Sequence, residues 1–96
     1  MTRNELVLFH DAMCDRARIL MQAKNEDYAN SADPFRNFRR HGLKGIAVRI
    51  SDKLARLESF IERDGELTVK EEAIVETCED LLNYAVLFAA LATEGK

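Results

Sequence analysis

The sequence predicts an all-α protein, with three main helices and a short connecting helix in a single helical domain over residues 1–96, assembled as a homo-oligomeric bundle. Three observations carry this prediction. Apolar residues recur every three or four positions over long stretches, which is the spacing of one helix face. Two capping boxes mark the starts of helices. No segment alternates apolar and polar residues in the manner of a β-strand.

The first helix is predicted to begin at Thr2, which forms a capping box with Glu5. In such a box each side chain satisfies a backbone N–H group that the first helical turn leaves without a partner. The apolar positions that follow define one face: Leu6, Phe9, Met13, Ala17 and Leu20. This pattern fades from Lys24 to Asp27, where we expect the helix to end.

Asp33 and Pro34 predict the short connecting helix, because Asp is a good N-cap and Pro suits the first helical position. This helix is expected to run from Phe35 to His41 and to end at Gly42. The second long helix is then expected between Gly45 and Gly65. Its predicted buried stripe consists of Ile46, Ile50, Leu54, Leu57 and Ile61.

Thr68 and Glu71 form the second capping box and predict the start of the last helix. Its main apolar seam comprises Ile74, Cys78, Leu81, Ala85, Phe88 and Ala92. Further apolar residues occupy its other sides: Leu82, Val86, Leu87 and Ala89. A helix that is apolar nearly all round requires cover nearly all round. We therefore expect a second subunit; the alternative is a monomeric bundle with a few exposed leucines.

The overall charge and the two cysteines exclude several classes of protein. The formal net charge of -3 argues against a binder of long nucleic acid. Cys14 and Cys78 are too few for a disulfide framework or a zinc site, so we expect reduced thiols beside apolar residues. The first residues lack the apolar run of a signal peptide, and no segment resembles a membrane span. These features predict a cytoplasmic protein without a membrane partner.

The last helix carries an acidic face, formed by Glu72, Glu76, Glu79, Asp80 and Asn83. A row of carboxylates repels itself unless positive charge lies opposite. That charge is either Mg²⁺, which takes oxygen ligands, or a basic stripe on the second helix. The basic stripe consists of Arg49, Lys53 and Arg56.

The connecting region combines arginines with aromatic rings, which are the components of a nucleotide site. Arginine forks match phosphate oxygens, and aromatic rings stack on bases. The candidate phosphate ligands are Lys24, Arg36, Arg39, Arg40 and Lys44, and the candidate stacking rings are Tyr28, Phe35 and Phe38. In the alternative interpretation, Phe35 and Phe38 close the open end of the bundle and the arginines are solvated.

Three runs of sequence resemble small phage-encoded helical proteins that are described as nucleotide-modification-associated or likened to MazG-type all-α nucleotide pyrophosphohydrolases. The first run comprises residues 24–29 and 33–38, the second comprises residues 49–57, and the third comprises Glu72 with residues 76–85. The resemblance implies a helical fold, a nucleotide ligand and, for the hydrolases, Mg²⁺ held by Glu-Glu-x-x-Glu on one helix and Glu-x-x-Asp on the next. Here Glu76, Glu79 and Asp80 resemble the second motif, whereas the second helix lacks the first.

The sequence therefore leaves three functions open. The favoured one is a phage-type oligomer that binds and sequesters cyclic oligonucleotide immune signals, with no cofactor and in the host cytoplasm. The second is a Mg²⁺-dependent nucleoside triphosphate pyrophosphohydrolase, and its candidate catalytic residues are Asp52, Glu72, Glu76, Glu79 and Asp80. The third is a non-catalytic module for protein interactions.

Overall fold

The computed structural model describes residues 1–28, 32–63 and 71–95, except for the side chains of residues 25–28 and 71–72. It contains helix α1 (Arg3–Tyr28), a 3-10 helix (Arg36–Phe38), helix α2 (Gly42–Glu62) and helix α3 (Glu71–Thr93). No strand occurs in these ranges, so the prediction of three main helices with a short connecting helix is confirmed. No helix in the described ranges has an apolar stretch of the length that crossing a bilayer requires.

Helix α1 begins as the capping box predicts. The Thr2 backbone N–H donates to Glu5 Oε2 at 2.9 Å, and the Glu5 backbone N–H donates to Thr2 Oγ1 at 3.1 Å. The helix continues to Tyr28, beyond the point at which its apolar pattern fades. The second predicted capping box, at Thr68, and the predicted stop at Gly65 lie outside the described residues.

The predicted connecting helix over residues 35–41 is wrong in length, because only one 3-10 turn forms. The prediction of Asp33 as its N-cap is also wrong, because Phe35 holds that position and no side chain caps the turn. Asp33 Oδ1 instead accepts a hydrogen bond of 3.0 Å from the Phe35 backbone N–H, as in an Asx-turn ahead of the helix. Helix α2 then starts at Gly42, three residues before the predicted start. Gly42 has a φ of 61°, a left-handed conformation that glycine adopts without strain. Gly45 lies inside the first turn, where an added Cβ would sit 3.0 Å from the Cβ of His41.

Helix α3 is the centre of the molecule, with α2 packed on one part of it and the C-terminal half of α1 on another. Helices α1 and α2 make at most marginal contact with each other in the described ranges. Among the side chains that the structure describes, the buried apolar ones are few: Ala17, Phe35 and Ile46. Both cysteines are free thiols, and both are half-buried.

Two of the five apolar residues that were predicted to be buried along the second long helix are not buried. Ile46 is fully buried and Ile50 and Leu57 are half-buried, but Leu54 and Ile61 are exposed. The prediction fails for these two because α1 does not reach across to cover them. In α3, Leu82 and Leu87 are half-buried and Val86 is exposed.

Candidate functional site

A cleft of about 300 Å³ opens where α1, the connecting segment (residues 32–41), α2 and α3 meet. Every one of the four elements contributes to its wall. The lining residues are Met21, Lys24, Pro34, Asn37, Phe38, Arg49, Asp80, Asn83, Tyr84 and Leu87. Two of them, Lys24 and Phe38, belong to the ligand-binding set that the sequence predicts.

An aromatic pair forms one wall of the cleft. The rings of Phe38 and Tyr84 meet edge to face, with centroids 6.4 Å apart and planes at 89°. Near this pair, the Asn83 side-chain amide donates a hydrogen bond of 2.9 Å to the Ala17 carbonyl oxygen. This bond ties α3 to α1 and fixes the orientation of the Asn83 side chain beside the cleft.

Asp80 is neutralised by lysines from both flanking helices. Its carboxylate lies 2.9 Å from Lys53 Nζ and 3.5 Å from Lys24 Nζ. The Lys53 side chain is only 14% exposed, so this pair is largely shielded from water. Lys24, Lys53 and Arg49 bring three positive charges to this region, against the single carboxylate of Asp80. The net charge at the cleft is therefore positive.

Arg49 stands apart from the other cations of the cleft. Among the residues that the structure describes, it has neither an ion pair nor a side-chain hydrogen bond, although it lines the cleft. A guanidinium has five N–H donors and stays protonated at any physiological pH. Arg49 is therefore the donor in this cleft that a bound anion engages without breaking an existing contact.

Two carboxylates of the acidic face of α3 are paired with cations, but Lys53 is the only member of the predicted basic stripe with an ion pair among the described residues. Glu79 is buried and accepts an ion pair of 2.9 Å from Arg16 of α1, while Asp80 takes the two lysines. Glu76 is exposed, and so is Asp52 on α2. Within the described ranges, no three acidic, cysteine or histidine side chains are grouped so as to hold a metal ion. The side chain of Glu72 lies outside the described residues.

Arg39, a predicted phosphate ligand, clamps the connecting segment to the end of α3. Its guanidinium contacts Asp33 at 3.0 Å and Glu94 at 2.7 Å. Hydrogen bonds from Arg39 lower the pKa of both carboxylates, and those carboxylates raise the pKa of Arg39. Arg39 also lies over the Phe35 ring, 5.1 Å from its centroid.

The remaining predicted ligand residues whose side chains the structure describes do not line the cleft. Phe35 is 8% exposed, so it fills the interior as the alternative interpretation of the aromatic residues describes. Arg36, Arg40 and Lys44 are exposed on the connecting segment and the first turn of α2. Tyr28 is the last residue of α1, and its side chain is outside the described residues.

Sequence reasoning missed several lining residues, chiefly Asn37, Arg49, Asn83 and Tyr84 as ligand contacts. All four fall within the three runs that carry the resemblance, which is the signal that could have selected them. No protein-family model matches this chain, and no curated protein or solved structure matches it either.

Proposed function

We propose that this protein binds a phosphorylated nucleotide in the cleft, as a homo-oligomer in the cytoplasm, and does not hydrolyse it. The observation that carries the proposal is Arg49, a cation without a partner among the described residues, in a cleft with an aromatic wall and a neutralised carboxylate. A cleft of about 300 Å³ is at the lower end of the range for small-molecule sites. It suits one nucleotide unit.

The phosphate would be held by Arg49, with help from Lys24. A guanidinium presents two parallel N–H groups to a phosphate, which gives direction as well as charge. Lys24 is half-exposed and its contact with Asp80 is the longer of the two, at 3.5 Å. It can therefore turn towards an anion while Lys53 continues to neutralise Asp80.

The base would be recognised by rings and amides. Phe38 and Tyr84 present aromatic surface to the cleft, and stacking on such surface accepts any base. Asn37 and Asn83 supply amide groups that both donate and accept hydrogen bonds, as the edges of bases require. Selectivity among bases would come from these two amides.

Two of the five carboxylates that the hydrolase alternative requires have other partners. A Mg²⁺ cage needs several carboxylate oxygens directed at one ion. Glu79 and Asp80 instead accept ion pairs from Arg16, Lys24 and Lys53. Recruiting them to a metal would leave those cations without their partners, so the contacts favour a binder over a hydrolase.

A binder without chemistry acts by lowering the free concentration of its ligand. The ligand class that we propose is a cyclic di- or trinucleotide of the kind used as an immune signal, and the protein would then be a phage-type sequestering agent. One cleft suits a single nucleotide unit, so a ligand with two or three units would contact clefts of more than one chain. Self-association and ligand class are thus parts of one proposal.

Calorimetric titration with a panel of mononucleotides and cyclic oligonucleotides tests the proposal. Arg49→Gln should weaken binding by about ten- to a hundredfold, because a charge-assisted hydrogen bond is worth about 1.5–3 kcal/mol. Arg56→Gln is the matched control, since Arg56 is exposed on α2 seven residues further on and does not line the cleft. Arg56→Gln should bind as the wild type does.

Chromatography of the titrated sample identifies the alternative functions. Recovery of intact ligand after denaturation supports sequestration. Mg²⁺-dependent cleavage that disappears in Glu76→Gln would establish the hydrolase, and absence of binding across the panel would leave the interaction module. Equal affinity of the Arg49→Gln and wild-type proteins would place the site elsewhere.

A further inference from the structure

The first turns of α1 carry an uncovered apolar segment, which we call the N-terminal arm (residues 3–12). Leu6, Val7, Leu8 and Phe9 are 57%, 55%, 67% and 45% exposed. Successive residues of a helix point about 100° apart, so these four cover about 300° of its circumference. This single turn is apolar on nearly every side, although polar residues precede and follow it in the arm, and such a turn favours cover by other helices.

The arm continues a seam that the same chain covers further along. Leu6 and Phe9 share a helix face with Met13 and Ala17, and Ala17 is buried where α1 packs on α3. The seam is thus covered in its C-terminal half and bare in its N-terminal half. The bare half lacks a covering partner among the residues that the structure describes.

Helix α2 carries a second uncovered apolar surface, which we call the α2 stripe. Its members are spaced four, seven and seven residues apart and share one helix face: Leu43, Ala47, Leu54 and Ile61. Leu54 is 44% exposed and Ile61 is 70% exposed. This stripe borders the face that packs on α3, because the half-buried Ile50 and Leu57 lie beside it around the helix.

The accessible surface of the chain is larger than the average for a compact monomer of its mass. It amounts to 7422 Å², whereas a folded monomer of 10.9 kDa exposes about 5,600 Å². The excess of about 1,800 Å² per chain lies within the about 1,000–2,500 Å² that each partner of an obligate homodimer buries. The radius of gyration, 15.1 Å, likewise exceeds the about 12.5 Å of a compact chain of this length.

We infer that the N-terminal arm of each chain packs on the α2 stripe of a second copy. Pairing of arm with arm would leave both α2 stripes bare, whereas an exchange of arms covers both apolar surfaces. A two-fold axis generates the contact twice, as in most homodimers. The inference deepens the self-association in the proposed function and does not depend on the ligand.

Sedimentation equilibrium of three charged variants tests the contact. Leu6→Glu in the arm and Leu54→Lys in the stripe should each raise the dissociation constant at least about a hundredfold and leave monomers at micromolar concentration. Val48→Lys is the control, because Val48 is 53% exposed but lies on another face of α2. It should associate as the wild type does. Circular dichroism confirms that each variant keeps its helices, and the milder Leu6→Ser replaces Leu6→Glu if that variant does not fold.

Mixing the two charged variants identifies the partners within the contact. A heterodimer of Leu6→Glu with Leu54→Lys contains one unaltered contact and one that pairs Glu with Lys. The mixture should therefore recover the wild-type mass, although neither variant does so alone. Recovery supports the exchange of arms, and a mixture that stays monomeric overturns it.

Two further outcomes overturn the inference. One is a wild-type chain that is monomeric at micromolar concentration. The other is a Leu6→Glu variant and a Leu54→Lys variant that both keep the mass of the wild-type assembly. Nucleotide titration of the same samples separates this result from the fate of the cleft, because neither Leu6 nor Leu54 lines it. Failure of the contact thus leaves the Arg49 comparison intact, and failure of that comparison leaves the contact intact.

Discussion

Asp80→Asn is the substitution that most directly separates an ion-paired acidic face from a metal cage. Asp80 lies between Lys53 and Lys24, and its side chain and that of Lys53 are 21% and 14% exposed. Removing the carboxylate charge leaves the ammonium of Lys53 largely buried without a counter-ion. The same change would relieve repulsion if Asp80 belonged to a cluster of carboxylates that awaits Mg²⁺. The ion pair therefore predicts a lower melting temperature for Asp80→Asn than for the wild type, whereas the metal cage predicts a higher one.

The size of the effect follows from the burial of the pair. Breaking a fully buried pair costs about 3–5 kcal/mol, and access of water to this pair reduces the loss to about 2 kcal/mol. The half-exposed contact with Lys24 adds at most a few tenths. For a domain of this size, about 2 kcal/mol lowers the melting temperature by about 8–15 °C. The double variant Lys53→Met with Asp80→Leu should recover most of the lost stability, because the two apolar side chains pack together and leave no unpaired charge.

Thermal denaturation at one protein concentration, without divalent metal, measures this effect. Asp52→Asn is the matched control, since Asp52 is exposed and has no ion pair among the described residues. It should change stability by less than about 0.5 kcal/mol. A higher melting temperature for Asp80→Asn than for the wild type would refute the ion-pair argument and favour the metal cage.

Two further predictions concern the connecting segment. Phe35→Ala should lower the free energy of unfolding by about 3 kcal/mol in chemical denaturation, because removal of a buried ring leaves a cavity. A change below about 1 kcal/mol would show that the ring is not part of the interior. Glu94→Gln should reduce the fall of the melting temperature on acidification. Hydrogen bonds from Arg39 lower the pKa of Glu94 and of Asp33. The stabilisation from these two carboxylates is therefore present above about pH 4 and is lost as the pH falls through the lowered pKa values. Parallel melting curves from pH 6 to pH 3 for the variant and wild type would contradict the role of this clamp.

The helices were predictable because local chemistry sets them. Thr2 and Glu5 satisfy each other within four residues, and no distant part of the chain is needed for that bond. The limits of the connecting segment were less predictable. Asp33 accepts a hydrogen bond from the Phe35 backbone N–H and also forms an ion pair with Arg39. Arg39 in turn pairs with Glu94, which is distant in sequence.

The site was predictable only in part because its members come from four elements. Lys24 and Phe38 were selected by type and proximity in sequence, and both line the cleft. Arg39 and Phe35 have the same chemistry, but long-range contacts give them an intramolecular task. Arg49 was assigned to the basic stripe that faces the acidic residues. Only the geometry shows that Lys53 takes that task and leaves Arg49 without an ion pair among the described residues.

The placement of α3 between two helices that scarcely touch has a consequence for binding affinity. Helix α1 packs on α3 and scarcely touches α2, so its docking would be a local equilibrium separate from the contact between α2 and α3. Met21 and Lys24 complete the cleft only while α1 is docked. The measured affinity of any ligand there is consequently the intrinsic affinity multiplied by the docked fraction. If a second chain holds the N-terminal arm as inferred above, it would raise that fraction, and association of subunits and occupancy of the cleft would strengthen each other even though they share no residue. Amide hydrogen exchange along α1 reports this coupling.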